Sequence, residues 1–220
     1  MIFRIDIKIF LLLFLFFITK QLELYLIIMI SVIIHEFGHL LVGFLLKMKL
    51  EKLELLPVGI SVSFKIDMKN LNKKIGNGNL FDIKKILVAI AGPLTNVIII
   101  FVVNKLNFSI TKEMLIIYAN FLIIIFNLLP IYPLDGGRIL KSFLHILFGR
   151  RKASVYINNI SVVLTIMLTA LCSILVLYLH NIAIAVVILY LCGIVFKESL
   201  KFRRLEKVYK IIESNAIVTN

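Results

Sequence analysis

The chain has 220 residues, 61% of them hydrophobic and only 17% charged, with a mean hydropathy of +1.04 and a formal net charge of +13. A water-soluble domain of this size cannot bury so much apolar side chain, so the composition excludes a soluble enzyme and predicts an all-α polytopic membrane protein. The positive charges fall between apolar runs and toward the C-terminal end, a membrane-flanking pattern rather than a nucleic-acid surface.

In chain order, the first apolar run follows basic Arg4 and Lys8 and lacks a small-residue cleavage site, so it reads as a retained span near 5–19 rather than a removed signal peptide. Ile7 to Leu46 as helix would measure about 60 Å, twice a hydrocarbon core of about 30 Å, which requires a second span near 23–46. The loop over 47–85 has two textures. Between about 51 and 66, Pro57 and Gly59 separate two short runs, and Ile60, Val62, Phe64 and Ile66 alternate with Ser61, Ser63 and Lys65. That alternation predicts a membrane-associated β-hairpin after the second span, whereas 70–79 reads as a polar loop. Further spans fit near 85–104, where Pro93 is expected to kink the helix, and near 113–130, 158–179 and 181–197, the last two joined by a turn at His180-Asn181. Cys172 and Cys192 lie in late apolar segments and read as buried thiols, not a disulfide framework.

Six spans with an N-terminus in the cytoplasm put 22 of the 25 basic residues on one side, leaving only Lys20, Lys105 and Lys112 on the other. That asymmetry predicts a cell-membrane protein with both termini cytoplasmic. The domain reading is a membrane core over 1–197 and a short basic amphipathic tail over 198–220.

The second span carries His35-Glu36-Phe37-Gly38-His39 inside an apolar run. Two histidines four positions apart project from one helix face, so both imidazoles can reach one Zn²⁺, and Glu36 beside them can take a proton from water. Polar groups at this depth are costly to hold, by about 2.5–3.5 kcal/mol for a charged side chain, and mark function. A catalytic zinc takes three protein ligands and leaves a position open. Most remaining acidic residues sit in charged loops or at span ends. Asp135 differs, because it follows Pro130 and Pro133, which interrupt an apolar helix, and precedes Gly136-Gly137. Irregular backbone at membrane depth is tolerated where it lines a cavity. Asp135 is therefore the expected third ligand, with His145 as the runner-up.

HEFGH, the later Ala91-Gly92-Pro93-Leu94-Thr95-Asn96 and the stretch Asn127–Arg138 resemble, in order and spacing over roughly 25–140, the site-2 protease family of intramembrane metalloproteases, especially its bacterial sporulation branch. The resemblance implies one Zn²⁺ held by His35, His39 and Asp135, with Glu36 as the catalytic acid and base. It also implies that Asn127 and the Pro130–Pro133 segment shape the substrate site. Its implied partners are a membrane-protein substrate (a sigma-factor precursor in the sporulation branch) and the lipid bilayer, with room for inhibitory membrane partners and no nucleic acid. The tail after the last expected span is too short for the nucleotide-sensing domain of that branch. Oligomeric state is not set by the sequence.

Two other readings compete. One is a different membrane protease of the same motif with a later glutamate as third ligand, although Glu113, Glu198, Glu206 and Glu213 are poorly placed. The other is a non-proteolytic zinc-binding scaffold or transporter, which has no need of Glu36. Asn96 reads as a packing residue, an interhelical hydrogen-bonding group or a group that approaches the substrate, and Arg138 as an anchor or a carboxylate partner.

Overall fold

Four long helices organise the computed structural model, which describes residues 2–5, 17–18, 22–48, 50–56, 59–64, 75–106, 110–179, 189 and 192–204. They are α1 (Leu22–Leu45), α2 (Ile75–Lys105), α3 (Ile110–Leu128) and α4 (Asp135–Leu179), and helical residues 192–204 form α5.

The helices are inside-out relative to those of a soluble protein. Along α1, Ser31, His35, Gly38, His39 and Gly43 recur at helical spacing on the buried face, while Ile30, Ile33, Phe37, Leu41 and Phe44 are exposed. α2 follows the same rule: Ala89, Ala91 and Asn96 are buried, and Leu87, Ile90, Leu94, Val97 and Phe101 face outward. A helix that turns small and polar residues inward and its large apolar ones outward is solvated by lipid. Three helical segments of the described residues are long and apolar enough to cross a membrane: Leu22–Leu45, Asn79–Lys105 and Asp135–Leu171.

Small residues bring α1 and α2 together. A β-carbon on Gly38 would stand 3.0 Å from the Ala91 carbonyl oxygen and closer still to the Thr95 methyl, so only glycine allows this approach. Asn120 of α3 is fully buried and donates its amide to Ser31 Oγ of α1 at 3.1 Å and to the Ile116 carbonyl at 2.9 Å. The C-terminal end of α1 is closed by Lys47 in the left-handed region (φ 54°), with Met48 N–H bonding the Gly43 carbonyl at 3.0 Å. Lys84 of α2 donates its ammonium to the Leu46 carbonyl at 3.1 Å, placing a cation at the negative end of that helix.

The backbone also forms a small sheet, ordered β1 (Ile2–Ile5), β2 (Leu50–Leu56) and β3 (Gly59–Phe64). β2 and β3 run antiparallel, with Leu53 opposite Val62 and Leu55 opposite Ile60. β1 adds in parallel to the other side of β2, pairing Ile2 with Lys52 and Ile5 with Leu55, a long-range partnership not anticipated from the sequence.

Two boundaries are corrected. Residues 75–79, expected in a polar loop, form the first turn and more of α2, because extending an existing helix gains one hydrogen bond per residue even through Gly76 and Gly78. The segment 138–152, which lies between the spans expected near 113–130 and 158–179 and so counts as a loop on the cytoplasmic side, is helical throughout except at Gly149, whose backbone (φ 77°, ψ 163°) breaks α4 in two. α2 runs without interruption through Pro93. The expected span near 5–19 (apart from Ile5, which ends β1, and 17–18), the turn at His180-Asn181, most of 181–191 and the tail beyond 204 lie outside the described residues.

Candidate active site

His35 and His39 lie one helical turn apart on the buried face of α1, and each is only 1% exposed. Asp135 is the first residue of α4, and the break before it explains how it reaches them. After α3 ends, the chain turns tightly through Leu129–Leu134: Ile131 N–H bonds the Leu129 carbonyl at 2.7 Å, and Leu134 N–H bonds the Ile131 carbonyl at 2.8 Å. Tyr132 N–H donates to Ser161 Oγ of α4 at 2.8 Å, and the Tyr132–Pro133 bond is cis. Ile131 anchors this strap: it is 1% exposed and packs with Val195, Phe126, Leu129, Leu134, Leu164 and Leu168. Gly136 and Gly137 then press against the Leu128–Tyr132 backbone so closely that a β-carbon at either would collide with it. Asp135 is left buried, at 4% exposure, against α1.

Three side chains from two distant segments thus converge. Asp135 Oδ2 stands 3.0 Å from His35 Nε2 and 3.2 Å from His39 Nε2, and the two imidazole nitrogens are 3.2 Å apart. Arg138 Nη1 approaches the other carboxylate oxygen, Oδ1, at 3.7 Å, so Oδ2 alone faces the histidines. His39 Nδ1 donates to the Val88 carbonyl at 2.7 Å, which fixes its ring and, in the neutral tautomer, turns the Nε2 lone pair toward Asp135.

This donor set fits zinc. A lone pair on His39 Nε2 facing a carboxylate oxygen at 3.2 Å is repulsive unless a positive charge is shared between them. The mutual separations of 3.0–3.2 Å are also close to the edge of a tetrahedron drawn with zinc bond lengths of about 2.0–2.2 Å, roughly 3.3 Å. Two imidazoles and one carboxylate are a ligand set found in catalytic zinc sites. Among the described residues this is the one His/Cys/Asp/Glu group assembled closely enough to hold a metal ion.

Gly92 of α2 completes the cradle. A β-carbon there would strike the His39 ring and stand 2.6 Å from His35 Nε2. Gly92→Ala is therefore expected to displace the imidazoles. Zinc per purified chain should fall well below that of wild type, read by elemental analysis, while detergent-solubilised yield changes little.

Glu36 follows His35 directly, half-buried, and its Oε2 is enclosed without a hydrogen-bond partner among the described residues. Asn127 and Pro130 are half-buried at the α3 end and its exit, and Pro133 is half-buried in the strap that delivers Asp135. His145, the runner-up ligand, is turned elsewhere: its Nδ1 lies 3.5 Å from Asp82 Oδ1, and Lys85 reaches the same oxygen at 3.1 Å. Asn96 is wholly buried with neither amide atom partnered among the described residues. Sequence reasoning missed the Val88 carbonyl and the Gly92 cradle as parts of the site. Gly92-Pro93 was visible as a motif, but its contact with the histidines was not.

The family model of Peptidase family M50 matches residues 23–111 and 108–171, well over half of the chain and all three converging side chains. The chain belongs to peptidase family M50. Among curated relatives of this M50 chain, a zinc metalloprotease of Methanocaldococcus jannaschii is 28% identical over 206 residues, covering 89% of this chain and 55% of the relative. Stage IV sporulation protein FB of Bacillus subtilis is 31% identical over 126 residues, covering 56% of this chain and 40% of that protein. The M50 chain thus spans about half the length of the curated relatives it matches. Its fold is similar to that of the site-2 protease from Methanocaldococcus jannaschii, with a TM-score of 0.60 and 24% identity over 89% of both chains.

Proposed function

We propose that this chain is a zinc metalloendopeptidase that hydrolyses a peptide bond in or beside a membrane segment of another protein. One observation carries the reading: His35, His39 and Asp135 meet within hydrogen-bond distance on the lipid-enclosed face of α1, with Glu36 on the same helical turn. Membership of a peptidase family and the curated relative named a zinc metalloprotease support it.

In this reading His35 Nε2, His39 Nε2 and Asp135 Oδ2 hold one zinc ion. Bound zinc supplies Lewis-acid chemistry, which makes water nucleophilic near neutral pH. Glu36 takes the proton of the attacking water and delivers it to the departing amine. Val88 and Arg138 are positioning groups: the first orients His39 through its carbonyl, the second occupies Asp135 Oδ1. Asn127, Pro130 and Pro133 border the substrate. A substrate helix hides its carbonyls in hydrogen bonds and must unwind before cleavage. The β2–β3 hairpin, held at the membrane, offers the unwound strand an edge.

The topology we propose has six spans with both termini in the cytoplasm, a membrane core over 1–197 and a basic tail over 198–220. The similarity to stage IV sporulation protein FB suggests a sigma-factor precursor as substrate, a reading that requires a spore-forming host.

The test is comparative proteomics of cells carrying wild type or Glu36→Gln. A membrane-associated precursor that accumulates intact only in the variant supports proteolysis and names the target. Equal biological activity of the two, with zinc bound in both, would leave a zinc-binding scaffold as the better description.

A further inference from the structure

Apart from the metal group, a cavity of about 150 Å³ opens where α5 packs across α4. Its wall includes Tyr132 of the strap, Lys141, Ser154 and Asn158 of α4, and Ser199 and Lys201 of α5. Glu198 also lines it, 3.6 Å from Lys201. Two ammonium groups against one carboxylate leave a net positive charge, among hydroxyl and amide groups able to donate hydrogen bonds. Arg150, Arg151 and Lys152 precede Ser154 in the chain, and Arg203 and Arg204 follow Phe202, so cations outnumber the Glu198 carboxylate around this cavity.

We propose that this cavity binds a phosphate group, that of an anionic phospholipid. The volume is about five times the roughly 30 Å³ share of one water molecule. It admits a tetrahedral oxyanion with a few waters. Lysine clusters at the ends of membrane helices attract anionic headgroups, each contributing modestly, and pockets between helices make the attraction specific. The chain's own build favours a lipid: the cavity lies beside helices whose outward faces are apolar, Tyr156 and Val163 of α4 and Phe196 of α5 among them, so the tails of a bound lipid remain in hydrocarbon.

The site also touches the strap. Lys141 Nζ sits over the Tyr132 ring, 4.2 Å from its centroid, and the next backbone contact is the Tyr132–Ser161 hydrogen bond. An anion that holds Lys141 thereby braces the segment from which Asp135 emerges.

The experiment uses the full chain in a non-ionic detergent, followed by native mass spectrometry. It is titrated separately with dihexanoyl phosphatidylglycerol, dihexanoyl phosphatidylcholine and ammonium phosphate. Wild type is expected to retain one phosphatidylglycerol in preference to phosphatidylcholine. Lys141→Gln with Lys201→Gln should weaken that retention about tenfold or more, whereas Lys112→Gln, exposed near the start of α3 and outside the cavity wall, should change it less than about twofold. Equal retention by all three proteins, or equal retention of the two lipids, would overturn the proposal. Inorganic phosphate that binds at the same site, and is lost in the double variant, would support an anion site while assigning it to free phosphate. Zinc content measured on the same samples reports the integrity of the metal group separately, so a chain without zinc would fail the protease reading and leave the anion titration interpretable.

Discussion

Glu36→Gln is expected to retain one zinc per chain and to lower cleavage of the substrate by about 10²–10⁴-fold, the range for removing a positioned general acid–base group. Glutamine has nearly the shape of glutamate, and Glu36 makes no hydrogen bond through Oε2 among the described residues, so no native partner of that atom is lost. The three residues proposed to bind zinc are untouched. The comparison of zinc by elemental analysis with cleavage of the precursor found by proteomics therefore separates chemistry from folding. Loss of zinc together with loss of cleavage would show that Glu36 supports the metal group rather than the proton transfer.

Asp135→Ala should have the opposite signature, with zinc itself lost. Groups that merely orient metal ligands contribute about 10–100-fold in affinity, and a direct ligand should exceed that. The structural context sharpens the expectation. Removal of the carboxylate leaves two imidazole nitrogens 3.2 Å apart, with the Arg138 guanidinium deprived of its Oδ1 partner near the site. Competition against a chelator of known affinity, with wild type alongside, measures the change. Near-wild-type zinc retention in Asp135→Ala would remove this residue from the ligand set. His145→Ala provides the contrast: it lies against Asp82, so its zinc affinity should match wild type within a few-fold.

The local half of the site was legible in the sequence because it follows from helix geometry. His35 and His39 are one turn apart in any α-helix, and charged or polar groups inside an apolar run are too costly to be incidental. Asp135 was legible for a different reason: two prolines and two glycines announced a broken backbone around a carboxylate. What remained hidden depended on long-range packing. Nothing local in Val88 reveals that its carbonyl accepts a hydrogen bond from His39, since that depends on how α2 lies against α1. The parallel pairing of β1 with β2 unites residues some fifty positions apart, and no short pattern encodes it. The helical state of 138–148 also depends on packing: the stretch carries Arg138 and Lys141, as a solvated loop would, yet Ser142 is buried and the helix is held against the strap.

The backbone break at Gly149 has a bearing on depth. A β-carbon there would meet nothing within 4 Å, so the glycine is required by its dihedral angle and not by crowding. Unbroken, the 45 residues of α4 would form a rod of about 68 Å, far longer than any bilayer interior. Divided, the leading piece of roughly 14 residues reaches only about 21 Å, too little to traverse hydrocarbon, and the trailing piece of roughly 30 residues has length to spare. Asp135 therefore stands at the head of a stub too short to cross by itself, and the length needed for a crossing lies wholly in the piece after Gly149.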